Sequence, residues 1–289
     1  LAYYLAARER RIALANLDVA FGDTKTRAEK IRIARASLQN VGATVLGLFW
    51  LPRLKVENLE KYVEAEPAGF ERARQILAKG QGIVFITPHF GDWEVLGQAT
   101  ALLGQPFTVV AEEMPNTGAQ ELLARLRARP EIQIIPQRFA AARLLKTLKR
   151  GGCVALLADL TATEHGGGVW VDFFGLPTIN SFTPAALSLH TGAPIICGTA
   201  HPMPDGRVHV HLRPPIEHTP TGDRAVDLRV LTQKCLSECE EIIRQHPQYW
   251  LWCYKRWKHR PTREMGRYPF YSRPADPEAF IRGPKPGET

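Results

Sequence analysis

The 289-residue sequence predicts an α/β protein: a central, mostly parallel sheet flanked by helices, preceded by a helical N-terminal region. Three observations predict it. From residue 82 onward, short continuous apolar runs alternate with amphipathic stretches, the pattern of strands covered on both faces by helices. The first fifty residues instead place apolar side chains at helical spacing. The composition, 45% hydrophobic and 23% charged, is that of a folded globular chain long enough for a sizeable core.

Taken in order, LAYYLAARERRIALANLDVAF and TRAEKIRIARASLQNVGATVLGLFW read as helices, with Asp23-Thr24 as the turn between them. Residues 67–79 form a further helix that stops at Gly80 and Gly82. The strands expected next are 82–88, 106–112, 132–136 and 153–159, with helices DWEVLGQATALLG, AQELLARLRA and FAAARLLKTLKRG between them. A strand VWVDFF, a helix TPAALSLHTG, strands APIICGTA and RVHVHLRP, and a long helix over 223–245 complete the pattern. No linker divides the chain. The expectation is one domain over 1–273, its helical N-terminal part ending near residue 80, with 274–289 a flexible tail.

The net charge of +8 suggests an anionic partner, whether nucleic acid, anionic lipid or a phosphorylated substrate. Five cysteines in a long chain argue against a disulfide framework and for a reducing compartment. Cys235 and Cys239 sit one helical turn apart without a second ligand pair, so packing is expected and no metal. No run of 18 apolar residues occurs; the longest apolar stretch, 41–54, is interrupted by glycines and a proline. The chain begins on Leu1, which leaves room for an upstream membrane anchor.

The stretch FITPHFGDWEVLG (85–97) places His89, Asp92 and Glu94 where a buried strand gives way to a helix. Sites in such sheets form at the carboxyl ends of strands. A carboxylate in the first helical turns can face back to the imidazole and fix its tautomer while the other ring nitrogen takes a proton. The bland alternative is a loop histidine followed by acids that suit a helix N-terminus. Spacing alone does not choose, because His218/Asp223 and His259/Glu264 repeat it. Only His89 follows a buried strand. Other chemistries lack their motifs: there is no G-x-S-x-G, G-x-x-x-x-G-K-[ST] or H-E-x-x-H, and Gly166-Gly167-Gly168 precedes no helix.

Four more stretches, NTGAQELLARLR (116–127), LLADLTATEHGGGVWVDFFGLPT (156–178), TPAALSLHTGAPII (183–196) and HPQYWLWCYKRWKHRP (246–261), join HFGDWE in a fixed order. Together they resemble the bacterial lipid A biosynthesis (lauroyl/myristoyl) acyltransferases, a group that includes phosphatidylinositol mannoside acyltransferases. The resemblance spans about residues 10–265. Asp172, giving VDFFG, is closer to the mannoside-lipid branch. The resemblance implies a glycerophosphate acyltransferase-like fold and direct transfer of a fatty acyl group from a thioester to a lipid hydroxyl. It implies catalysis by His89 as general base with Glu94, substrate binding by Arg127 and Asp159, and no metal or cofactor. The donor would be an acyl carrier protein or coenzyme A thioester, and the place the cytoplasmic face of the bacterial inner membrane. Arg127, or backbone N–H groups near Gly91, would meet the developing oxyanion.

Beside that resemblance, Arg138, Arg143, Lys146, Lys149 and Arg150 lie on or next to one helix. They fit either acceptor phosphates and the donor's phosphopantetheine arm, or a solvated helix face. Residues 249–273 mix aromatics with cations and fit an anionic membrane surface or single-stranded nucleic acid, while Trp250 and Trp252, alternating on one side, are expected in part to pack under the sheet and leave only the cations exposed. The apolar stretch 46–51 fits core or a membrane-facing wedge. An inactive lipid-binding relative is the remaining alternative.

Overall fold

A computed structural model of the chain describes residues 6–111, 117–136, 140–162, 167–276 and 280. In chain order the elements begin with α1 (Ala7–Phe21), α2 (Arg27–Gly47), the single turn α3 (Leu59–Tyr62), β1 (Val63–Ala65), α4 (Pro67–Ala78), β2 (Ile83–Thr87) and α5 (Trp93–Leu102). There follow β3 (Phe107–Ala111), α6 (Thr117–Arg127), β4 (Ile132–Pro136), α7 (Ala140–Lys149) and β5 (Cys153–Leu157). The rest are β6 (Gly168–Phe173), β7 (Leu176–Ser181), α8 (Thr183–Thr191), β8 (Ile195–Pro202), β9 (Val208–Pro215), α9 (Arg224–Gln245), β10 (His259–Arg260) and β11 (Arg273–Pro274). The contacts divide into two compact units: a sheet unit, 43–157 with 187–217, and an aromatic unit, 1–42 with 158–186 and 218–289.

The sheet unit holds a seven-stranded sheet in the order β1-β9-β8-β2-β5-β3-β4 among the described residues. Five of its six pairings are parallel, and only β8 with β9 is antiparallel. The mostly parallel α/β sheet expected from the apolar runs is therefore present. Strand β2 reads as an unbroken apolar run because Ile83, Val84, Phe85 and Ile86 are all buried. Strands β3, β4 and β5 lie on one side of β2, and β8 and β9 on the other. The strand order thus changes direction at β2, where such sheets open a crevice at their carboxyl ends. Phe70, Val95, Leu96, Phe107 and Ile196 are in the core of this unit.

The aromatic unit is built differently. Trp250, Trp252 and Trp257 are fully buried. Trp250 meets Trp252 edge-on at 4.6 Å, and Phe173 lies 5.5 Å from Trp250 and 5.7 Å from Trp257. Removing one buried indole costs about 3–5 kcal/mol, so these side chains hold the unit together. The inward packing expected in part from the alternation of Trp250 and Trp252 is thus found for all three tryptophans. Two of the five arginines in the 249–273 stretch, Arg256 and Arg260, go inward too. Arg256 is 0% exposed and donates to Thr161, Thr178, the Ile179 carbonyl and Asn180, with its guanidinium 5.1 Å from the Phe173 ring centre.

Strands β6 and β7 pair antiparallel through a two-residue loop, Phe174-Gly175, both at positive φ (52° and 66°). That is the backbone a two-residue hairpin needs. Phenylalanine is an uncommon choice there. Its N–H donates to Glu240 at 2.6 Å, and its ring packs 5.7 Å from Phe21 under the Arg244 guanidinium at 4.4 Å.

Candidate active site

Pro88 ends β2 because it has no N–H to offer a neighbouring strand. His89 follows at the carboxyl end of the sheet, half-buried. The chain then turns at Gly91 (φ +59°), where a Cβ would stand 1.7 Å from the Ala200 carbonyl oxygen, so no other residue fits. The Asp92 N–H donates to that same oxygen at 2.9 Å. Asp92 is the N-cap of α5, its side chain accepting from the Val95 N–H at 3.0 Å. Burial, together with the nearby Glu94 charge, pushes the Asp92 carboxyl up to about 6, against the backbone N–H bonds that lower it.

Because Asp92 does the capping, Glu94 in the first turn of α5 is left for another partner. Arg127 at the end of α6 grips it with two hydrogen bonds, Nε to Oε2 at 2.9 Å and Nη2 to Oε1 at 2.5 Å. Glu94 is 11% exposed and Arg127 34%. Such a fork occupies one lone pair on each oxygen and leaves acceptor capacity for a ring N–H. Trp93 stands edge-on to the His89 ring at 5.3 Å.

One turn further along α5, Gln98 tightens the same junction. Its amide donates to the Arg127 carbonyl at 3.2 Å, and its oxygen accepts from Arg129. Arg129 also donates to the Leu51 and Leu54 carbonyls, and burial lowers its pKa. Gln98 and Arg129 were not expected from the sequence. The available signal was position: Gln98 is four residues after Glu94 and shares its helix face.

The structure therefore brings His89, Asp92, Glu94 and Arg127 into one part of the sheet unit. Arg143 is exposed in the first turn of α7, the end of that helix nearest the carboxyl ends of the strands. Lys146, Lys149 and Arg150 run toward the opposite end, where β5 begins, so the basic helix does not present its cations to one site. Arg138 and Gly166 lie outside the described residues. Asp159 belongs to the aromatic unit, where it is 1% exposed and accepts from the Trp250 indole N–H at 2.8 Å. Cys235 and Cys239 are buried on α9, and no cluster of three or more metal-ligating side chains occurs among the described residues.

The sequence comparisons with known proteins agree on a family. The profile described as bacterial lipid A biosynthesis acyltransferase matches residues 1–259. The phosphatidylinositol mannoside acyltransferase of Mycobacterium tuberculosis is 28% identical over 228 residues, 77% of this chain and 69% of its own length. The lipid A biosynthesis lauroyltransferase of Escherichia coli is 24% identical over 275 residues, 93% of this chain and 85% of its own. The crystal structure of a 1-acyl-sn-glycerophosphate acyltransferase from Thermotoga maritima covers 82% of this chain and 97% of that one, at 13% identity and a TM-score of 0.35. With the family profile matched over most of its length, the chain belongs to the bacterial lipid A biosynthesis acyltransferases and is an acyltransferase.

Proposed function

We propose that this acyltransferase moves a fatty acyl group from a thioester, carried by acyl carrier protein or coenzyme A, to a hydroxyl of a glycolipid or phospholipid. The observation that carries the reading is the HFGDWE turn. His89 follows the end of a central strand, and the next helix presents Glu94 with its carboxylate fixed by Arg127.

In this reading His89 removes the proton from the acceptor hydroxyl as its oxygen attacks the thioester carbonyl. The C–S bond breaks, an ester forms, and the proton passes from His89 to the departing thiolate. Glu94 orients the ring and offsets its positive charge. Arg127, committed to Glu94 through two nitrogens, is first a positioning group. Its Nη1, without a partner among the described residues, is left for an anionic group of a substrate.

Contact with the cytoplasmic face of the inner membrane is part of the same proposal. No described helix is long and apolar enough to cross a membrane. Support for peripheral contact comes from the end of α2 and the turn after it, where Val45, Leu46 and Phe49 are 50%, 71% and 56% exposed. Of the apolar stretch 46–51, Leu48 and Leu51 are core while Leu46 and Phe49 face outward.

The test is an acyl-transfer assay on the full chain with anionic glycolipid extracts, giving acyl carrier protein and coenzyme A thioesters separately and reading products by mass. A gain of one acyl chain with wild type and none with His89→Ala is the expected result. Transfer that survives His89→Ala overturns the assignment of the base.

A further inference from the structure

The peptide joining Gly91 to Asp92 is held at both of its polar atoms. The Asp92 N–H donates to Ala200, as described, and the Gly91 carbonyl accepts from the Thr44 hydroxyl at 3.1 Å. Thr44 is 3% exposed and sits in the last turn of α2, which ends at Gly47. A threonine inside a helix commonly turns its hydroxyl back to a carbonyl of its own preceding turn. Here the hydroxyl reaches out of the helix to the turn after β2. Gly47 meets the same turn: a Cβ on it would lie 3.8 Å from Asp92 Oδ2.

The need for this second hold follows from the glycine. The Ala200 carbonyl leaves no room for a side chain at residue 91, so the position must be glycine. Glycine, however, explores backbone states closed to other residues. A peptide is planar, so it can rotate as a plate between its two Cα atoms with little movement of the rest of the chain. Such a rotation would turn the Gly91 carbonyl away from Thr44 and the Asp92 N–H away from Ala200. It would also change the direction in which the chain leaves His89 and enters α5. Two hydrogen bonds on opposite edges of the plate oppose it.

We propose that Thr44 is a positioning residue for acyl transfer: by fixing the Gly91–Asp92 peptide, it sets the angle between His89 and Glu94. Its β-branched side chain has few rotamers in a helix, which suits a fixed strut. This inference rests on the proposed roles of His89 and Glu94.

The test compares Thr44→Val, which keeps the shape and loses the donor, with Thr44→Ser, which keeps the donor. Both are made in the full chain beside wild type and His89→Ala. Thr44→Val is expected to lower kcat by about 10- to 100-fold, the scale on which small misplacement of catalytic groups acts, with KM for both substrates within about twofold. Thr44→Ser is expected to recover most of kcat. Hydrogen exchange at the Asp92 amide supplies a readout that needs no activity: slow in wild type and Thr44→Ser, and at least about tenfold faster in Thr44→Val if the hold is lost. A Thr44→Val enzyme with wild-type kcat, whatever its melting temperature, overturns the positioning role. Unchanged Asp92 exchange overturns the hold itself. A His89→Ala enzyme with wild-type turnover strikes instead at the reading on which the inference stands.

Discussion

Two regions of this molecule carry a histidine followed five residues later by an acid at a helix start, and they use it in different ways. In the sheet unit, Asp92 caps α5 and Glu94 is free to take Arg127. In the aromatic unit, Asp223, the acid at the same spacing from His218, is itself the cap of α9 and accepts from the Ala225 and Val226 N–H groups. His218 turns to a different carboxylate, Asp227, 3.2 Å away. Thr221, through its backbone N–H and hydroxyl, and then His218 hold Asp227 below the usual carboxylate range. Both His218 and Asp227 side chains are buried, at 8% and 6% exposed. The difference teaches that the spacing is only a geometric permission. In one copy a second acid relieves the first of capping and a buried strand delivers the imidazole to the carboxyl end of the sheet, as the proton transfer proposed for His89 requires.

The largest way to break the comparison is to remove each imidazole. His89→Ala is expected to lower kcat by about a thousandfold or more, within the range of general-base contributions. His218→Ala is expected to leave kcat within about twofold and to lower the melting temperature. Comparable losses of turnover in the two variants would erase the distinction. A smaller effect sharpens the role of the fork. Arg127→Lys keeps the charge but cannot hold both Glu94 oxygens at once; kcat is expected to fall about tenfold, with a circular dichroism spectrum like that of wild type. Equal turnover would leave Arg127 without a positioning role.

The smallest effect concerns the two caps. Burial pushes the Asp92 carboxyl up to about 6 in the folded chain, above its ordinary value of 3.8. Between these values the folded state binds the extra proton, so its contribution to stability is fully present below about 4 and lost as pH rises through about 6. Asp92→Asn keeps an acceptor for the Val95 N–H and removes the buried charge. It is expected to raise stability at pH 8 by up to about 2 kcal/mol, with the gain fading toward pH 4. Asp223→Ala is expected to cost about 1 kcal/mol, as for other lost caps. Melting curves from pH 4 to 8 check both. A gain for Asp92→Asn that does not shrink on acidification would contradict the raised pKa.

Much of the sheet unit was legible because its strands obey one rule, apolar on both faces. Strand β4 has the bounds read from the sequence. What was missed follows other rules. Strand β1 is only three residues long, too short to show a period. Strand β7 carries Pro177, Thr178 and Asn180, and its buried polar groups are satisfied by Arg256 and the Ala158 carbonyl from elsewhere in the chain. At the site, His89, Glu94 and Arg127 stood out by motif. Thr44, Gln98 and Arg129 did not, because each acts through a partner that sequence distance hides. Near the C-terminus only the alternation of Trp250 and Trp252 signalled that tryptophans pack inward, because composition does not say which side of a residue faces water.

The Trp93 ring beside His89 has an optical consequence. A protonated imidazole in contact with an indole quenches its fluorescence, and a neutral one does so far less. The other five tryptophans of the chain contribute a background signal. Light emitted by Trp93 therefore follows the proton on the very group proposed to move it, and the enzyme carries its own indicator dye at the point of transfer.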